Sequence, residues 1–226
     1  MAQQFHDRRD AGEALAARLA RLNLPDPVAL ALPRGGVPVA AAIGQRLNAP
    51  LDMIFVRKIG VPMNPEFAAA AFVDLGAGEI VTNPGALSLP GVTQEYLEAE
   101  AARARAEIDR RRGLYFPAGF ESPSLAGKSA IVVDDGIATG ASMRAALLAL
   151  RRAAPARIVV AVPVAPSDFV ARLAREVDDV VCLQSLDDFG AVGAFYNDFR
   201  QLSDEDVVAI MREHVRPSSP APQPRR

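Results

Sequence analysis

The stretch Ile131-Val132-Val133-Asp134-Asp135-Gly136-Ile137-Ala138-Thr139-Gly140-Ala141-Ser142 decides how this chain is read. An apolar run from Ala130 to Val133 delivers two adjacent carboxylates into a turn rich in glycine and hydroxyls, and a helical pattern from Ser142 to Ala153 follows at once. A strand that is apolar throughout is covered on both faces, as in a parallel sheet. Backbone N–H groups at a helix start are unpaired and lie at the positive end of its dipole, so they attract anions. Gly140 lets the backbone approach such an anion, and the hydroxyls of Thr139 and Ser142 can donate to it. The carboxylates of Asp134 and Asp135 can accept hydrogen bonds from sugar hydroxyls. One end of the loop therefore suits a phosphate and the other a vicinal diol, and a ribose 5-phosphate carries both. A turn without function is the weaker reading, because adjacent buried acids are costly without partners.

Working outward, the pattern alternates strands with helices. A helix is expected from Asp10 to Leu22, with Asp10 and Glu13 as a capping box and Leu15, Leu19 and Leu22 on one face. A strand at Val28–Leu32 stops at Pro33-Arg34-Gly35-Gly36, and Pro38 suits the first turn of a helix reaching Leu47. Met53–Val56 reads as a strand ending in Arg57-Lys58. Ile59 to Phe67, with Gly60, Pro62, Asn64 and Pro65, reads as a loop. Short strands follow at Ala70–Val73 and Glu79–Thr82, then a long charged helix from Thr93 to Arg112. Beyond the Asp134 loop come a strand at Ile158–Val162, a helix at Asp168–Arg175, a strand at Val180–Leu183 and a last helix from Asp204, capped by Ser203, to Val215. This order predicts an α/β fold with a mainly parallel sheet and helices on both faces. It is expected as one domain over residues 1–215, with a small cap or hood from about Ala68 to Ser124 and a disordered Pro/Ser-rich tail from Arg216 to Arg226.

The bulk numbers narrow the function classes. Of 226 residues half are hydrophobic, enough for a sizeable core, and the net charge of −2 removes the simplest electrostatic case for nucleic-acid binding. No apolar run approaches the roughly 20 residues of a membrane helix, and the start lacks the apolar core of a signal peptide, so a cytoplasmic location is expected. The lone Cys182 can form no internal disulfide, and its apolar surroundings read as packing. His6 and His214 lie near the ends, away from every candidate loop. Arg103, Arg105, Arg110, Arg111 and Arg112 read as a solvated helix face partnered by Glu98, Glu100 and Glu107. Phe195, Tyr196 and Phe199 are read either as a stacking surface for a base or as packing against the final helix.

Neither G-x-x-x-x-G-K-[ST] nor G-x-G-x-x-G occurs. The Ile131–Ser142 stretch instead resembles the motif with which type I phosphoribosyltransferases bind 5-phosphoribosyl-1-pyrophosphate (PRPP). The resemblance runs from about Val28 to Leu183. The whole chain is similar to a bacterial group known as predicted phosphoribosyltransferases, through Leu32–Gly36, Val56–Gly60, Asn64–Phe67 and Val192–Phe199. It implies that Asp134 and Asp135 hold the ribose hydroxyls, and that the loop Gly136, Ala138, Thr139, Gly140, Ala141 and Ser142 cradles the 5-phosphate. Arg34, Gly35 and Gly36 fall at the pyrophosphate loop. Arg57 and Lys58 fall where basic residues assist catalysis at the pyrophosphate, ahead of a mobile lid at Ile59–Phe67. Within that lid Glu66 reads either as a general acid/base or as a surface glutamate. Mg²⁺ is the implied cofactor, entering with PRPP, with Asp134 and Asp135 as candidate ligands. The implied partners are PRPP and a small acceptor, nucleobase-like or another amine, with no nucleic acid, no membrane, and a homodimer as the candidate assembly.

Three readings of the activity stay open at this point. The favoured one is transfer of the 5-phosphoribosyl group from PRPP to a nitrogenous acceptor with release of pyrophosphate. The second is a non-catalytic PRPP or nucleotide-binding regulator. The third is a hydrolase or phosphorylase acting on phosphorylated sugars. One departure bears on the acceptor: the 6-oxopurine branch of the family has a third Asp where this chain has Ala138, and alanine cannot move a proton near N7 of a purine.

Overall fold

The computed structural model describes residues 4–76 and 78–214, with the backbone alone for Glu66. The residues from 215 on, with the expected tail, lie outside the described residues. The elements are α1 (Arg8–Leu19), β1 (Pro27–Ala31), α2 (Gly36–Leu47), β2 (Leu51–Met53), β3 (Phe55–Val61), β4 (Asn64–Asp74), β5 (Glu79–Thr82), α3 (Gln94–Tyr115), β6 (Ser129–Val133), α4 (Ala141–Arg152), β7 (Arg157–Pro166), α5 (Ser167–Leu173), β8 (Asp179–Leu186) and α6 (Asp204–His214).

Five strands form one sheet in the order β2-β1-β6-β7-β8, every neighbouring pair parallel. Alternate residues point to opposite faces of a strand, and the two cores follow that parity. Ala29, Ala31, Ile131, Val133, Val159 and Ala161 pack into one layer with α1, α2 and α6. Val28, Leu30, Ala130, Val132, Val160 and Val162 pack into the other with α4 and α5. This is the expected mainly parallel sheet with helices on both faces. After β1 the chain builds β2 on one side, and it returns to place β6 on the other. The order therefore reverses between β1 and β6, and in open α/β sheets ligands bind at the carboxyl ends of the strands beside such a switch point.

Between β2 and β6 stands a small antiparallel sheet, β3-β4-β5, backed by α3. The single strand expected at Met53–Val56 is in fact two. Ile54 still donates its N–H to Ala31 O of the parallel sheet at 2.9 Å, while Phe55 is paired with Asp74 in the antiparallel one. The second sheet thus begins at Phe55, ahead of Ala68. The expected loop at Ile59–Phe67 is instead a hairpin, with Val61 opposite Asn64. Its glycine and prolines are accommodated by register irregularities at Ile59, Gly60 and Val61. Pro65 lies beyond the stretch of β4 that β5 covers, so its missing N–H leaves no ladder bond unmade there.

The helix ends show how local sequence sets the frame. The N-cap of α1 is Asp7, not Asp10: Asp7 Oδ1 accepts from Asp10 N and Asp10 Oδ2 accepts from His6 N, both at 2.9 Å. This is a reciprocal cap three residues earlier than expected. Ser203 caps α6 as expected, accepting from Asp206 N at 3.2 Å while Asp206 Oδ2 accepts from Ser203 N at 2.8 Å.

Helices α1 and α2 meet at Gly12, where a Cβ would lie 2.7 Å from Val39 O and 2.8 Å from Ala42 Cβ. Both obstacles sit on or beside the backbone of α2, so only a shift of one helix could relieve them. Gly12→Ala should therefore destabilise the protein by about 1–3 kcal/mol, although alanine favours a helix by roughly 1 kcal/mol over glycine. Urea denaturation checks it; a raised midpoint would mean that the two helices have room to part.

Candidate functional site

At the switch point the loops after β1 and β6 are pressed together. Leu32 N donates to Val133 O at 2.9 Å, Gly36 N to Leu32 O at 3.0 Å and Val37 N to Arg34 O at 3.1 Å. The Pro33–Arg34 peptide is cis. A Cβ at Gly35 would run into the carboxylate of Asp135, and one at Gly36 would lie 2.5 Å from Val133 O. The two glycines are what let the first loop lie directly against Asp134 and Asp135.

The acid pair is unequal. Asp135 Oδ2 accepts from Arg8 Nε at 2.7 Å, in an ion pair with side chains only 10% and 13% exposed. The Arg8 guanidinium also donates to Arg200 O at 3.0 Å and lies over the Phe199 ring, 3.9 Å from its centroid. Asp134 Oδ1 accepts from Asp135 N at 2.9 Å. Asp134 is half-buried. Burial pushes its pKa well above the ordinary carboxylate range, and the neighbouring charge of Asp135 pushes the same way. Burial raises Asp135 as well, with Arg8 opposing it.

The turn that follows presents backbone to solvent. Gly136 allows Val192 and Val164 to close in, since a Cβ there would lie 2.5 Å from Val192 Cγ1, and Ile137 N donates to Val164 O at 2.9 Å. Ala138, Thr139 and Ala141 are exposed and Ser142 is half-buried. Gly140 has φ of 72° and abuts the Phe169 ring, which leaves no room for a side chain. It is the N-cap of α4 and supplies no side-chain hydrogen bond, so the first N–H groups of α4 stay available to an anion.

Other expected residues fall farther out. Arg34 points to α6, with its Nη1 3.5 Å from Asp204 Oδ1, where Tyr115 OH donates at 2.5 Å; Arg110 Nη2 stands 3.8 Å from Asp204 Oδ2. Arg57 and Lys58 are exposed on β3, and among the described residues no hydrogen bond or ion pair joins them to the two loops. Glu66 lies on β4, with its side chain outside what is described. Arg103 and Arg110 pair with Glu100 and Glu107 along α3, as expected of a solvated face, but Arg112 turns inward to Asp74 at 3.3 Å.

Of the aromatic trio, Phe195 and Tyr196 are core residues. Tyr196 OH donates to Asp135 O at 2.6 Å; burial, then the charge of Asp135, push its phenol pKa up, so it keeps its proton. Phe5 N donates to Phe195 O and Asn197 N to Phe5 O, each at 2.8 Å, so this segment clamps the start of the chain beside the acid pair. Arg8 was not among the candidates. An arginine at the first turn of a helix, 127 residues from its partner, carries no local signal.

Cys182 is half-buried, and burial pushes its thiol to about 11, which keeps it unreactive. Among the described residues no cluster of three or more His, Cys, Asp or Glu could hold a metal, and no helix is long and apolar enough to cross a membrane. Two adjacent carboxylates do suit a hard cation that takes its remaining oxygens from a phosphorylated ligand. A cavity of about 830 Å³ lies elsewhere, along the outside of α2 towards the start of β2, among Ala41, Leu51, Phe120 and Ile210. It touches neither loop.

The family model described as "Phosphoribosyl transferase domain" matches residues 2–200. A Mycobacterium tuberculosis protein with a provisional phosphoribosyl transferase name, present in strains H37Rv and CDC 1551, is 43% identical over 207 residues, 92% of this chain and 46% of its own. The chain thus spans about half the length of the curated relatives it matches. Among solved structures, TT1426 of Thermus thermophilus is 47% identical, with 94% of this chain and 99% of that one covered at a TM-score of 0.79.

The electrostatics of the acid pair generate a prediction. A carboxyl whose pKa is raised on folding stabilises the fold fully below its unfolded value and loses that contribution as pH rises towards its folded value. Asp134→Asn keeps the acceptor for Asp135 N and removes the buried charge. The ligand-free variant should be more stable than the parent at neutral pH, with the gap narrowing as pH falls to about 4, the ordinary range of an aspartate. Thermal melts across that range check it; a gap that is constant or reversed would mean that the Asp134 charge is well compensated.

Proposed function

This chain belongs to the phosphoribosyl transferase domain family, and from that premise we propose that it transfers the 5-phosphoribosyl group of PRPP to a nitrogenous acceptor, releasing pyrophosphate. The observation that carries the proposal is the contact between two loops: Gly35-Gly36 lies against Asp134-Asp135, beside the uncapped start of α4. The N–H groups of α4, with Thr139 and Ser142, suit the 5-phosphate. The acid pair suits the ribose hydroxyls. The loop after β1 suits the pyrophosphate with its backbone, and Arg34 would join it by turning from Asp204.

In the reaction an acceptor nitrogen forms a bond to C1 as the C1–oxygen bond breaks, and that electron pair leaves with pyrophosphate. Positive charge grows on the sugar ring meanwhile. The chain's contribution is to hold the three parts of PRPP in line and to neutralise the leaving group, which fixed donors in a water-poor site do well. Mg²⁺, held by the pyrophosphate with Asp134 and Asp135, would supply further neutralisation of the leaving group. Ala138 offers no proton acceptor at its place in the loop, which weighs against hypoxanthine and guanine as acceptors.

Calorimetry with Mg²⁺ and PRPP tests the binding half. Losing a charged acceptor costs more than losing a neutral hydroxyl whose neighbouring N–H groups remain. Asp134→Asn or Asp135→Asn should weaken binding by about 10–100-fold, and Thr139→Ala by about 2–10-fold. No binding by the parent protein would overturn the proposal.

The β3–β4 hairpin is the element we assign to closure over the sugar. Its tip carries Met63 and Phe67, 87% and 56% exposed, large apolar groups that closure would cover. Glu66 stands between them in sequence as the candidate acid/base that takes the acceptor's proton, and Arg57 and Lys58 on β3 would meet the pyrophosphate. Removing a general base costs about 10²–10⁴-fold in rate. Glu66→Gln should therefore lower kcat by about 100-fold or more while PRPP affinity stays within about 3-fold of the parent. A normal kcat would remove Glu66 from the chemistry.

A further inference from the structure

We propose that Arg8 is a positioning residue for the ribose: it fixes the Asp135 carboxylate by holding one of its oxygens, so that the other is held in one direction to meet a sugar hydroxyl. The inference rests on the phosphoribosyl reading above and adds to it a residue from outside the loop. Arg8 Nε takes Asp135 Oδ2 at 2.7 Å, with both side chains nearly enclosed. Four further contacts leave the pair little freedom. The Arg8 guanidinium donates to Arg200 O and stacks on Phe199, Tyr196 OH holds the backbone of Asp135, and Gly35 lies close against its carboxylate.

This arrangement does more than neutralise a charge. A carboxylate free to rotate offers two equivalent oxygens, and a diol can be met in several ways. With Oδ2 taken, the acceptor left at Asp135 points in one direction, and Asp134 supplies the second acceptor of the pair. The two acids then meet different hydroxyls of the same ribose. Arginine suits the task because its planar fork spans the carboxylate and a carbonyl together, which a lysine ammonium cannot match in the same rigid geometry.

The test is a comparison of ligands rather than of affinities alone. Ribose 5-phosphate, 2-deoxyribose 5-phosphate and 3-deoxyribose 5-phosphate are titrated by calorimetry into the parent, Arg8→Gln and Arg8→Lys, with thermal melts to show that each is folded. The parent should prefer ribose 5-phosphate by about 10-fold or more over each deoxy sugar. In Arg8→Gln the preference over one deoxy sugar should shrink to about 2-fold, while that over the other, read by Asp134, stays within about 2-fold of the parent. Arg8→Lys should fall between, and it carries the test if Arg8→Gln does not fold. A loss of general rigidity would weaken all three sugars alike and leave both ratios unchanged; that result overturns the role of Arg8 and leaves the transferase reading intact. Failure of the parent to bind any of the three sugars would overturn that reading itself.

Discussion

The loops after β1 and β6 can lie directly against each other only because residues 35 and 36 have no side chains. Leu32 N reaches Val133 O, and the glycines then bring the chain against the carbonyl of Val133 and the carboxylate of Asp135. A Cβ at either place would clash with Asp135 or Val133 and force the two loops apart. The parallel sheet delivers both strands to the same edge, and its order reverses at this point, where open α/β sheets bind ligands. The rest of the site follows from that contact: the acids face the first loop, and the turn after them opens onto the start of α4.

Bringing two carboxyls into such an enclosure has a cost, and the surrounding structure is arranged around it. Removing one partner of a buried ion pair typically costs about 3–5 kcal/mol, because the other charge is left without compensation. Arg8 therefore does more for the fold than its place at the first turn of α1 suggests. Through it and through Tyr196, both the first residues of the described chain and the segment from 192 to 200 are tied to Asp135. Among the described residues no cation stands within a hydrogen bond of Asp134, and its raised proton affinity is the remainder of that cost. A ligand that brings its own hydroxyl donors and a cation would relieve it, which is the physical link between an acid held above its ordinary range and a phosphorylated sugar.

Much of this was legible in the sequence, for reasons that can be named. Apolar strands read clearly because both faces are buried, and the Asp134 loop read clearly because strand, acids, glycine and helix start follow one another locally. The contact of the 33–36 loop with that turn was legible only through the family resemblance, since it depends on strand order. Three errors share one cause, the use of local composition where a distant partner decides. Gly60, Pro62 and Pro65 suggest a loop, yet β4 pairs with β3 across them. Met53–Val56 has the pattern of one strand, yet two sheets divide it at Ile54. Arg8 looks like any exposed helix residue until the fold places Asp135 opposite it. The shifted cap of α1 is a smaller case: Asp7 and Asp10 form the same kind of box as Asp10 and Glu13 would, and the choice falls to the one that lets Phe5 pair beside Tyr196.

The central claim is that one ligand spans the loop after β1 and the loop after β6. Amide hydrogen exchange, followed with and without Mg²⁺ and PRPP, tests it most directly. The account predicts that protection rises together at residues 34–37 and 137–143, while the lining of the 830 Å³ cavity along α2 near Phe120 and Ile210 is unchanged. Protection at that cavity with none at the two loops would contradict it.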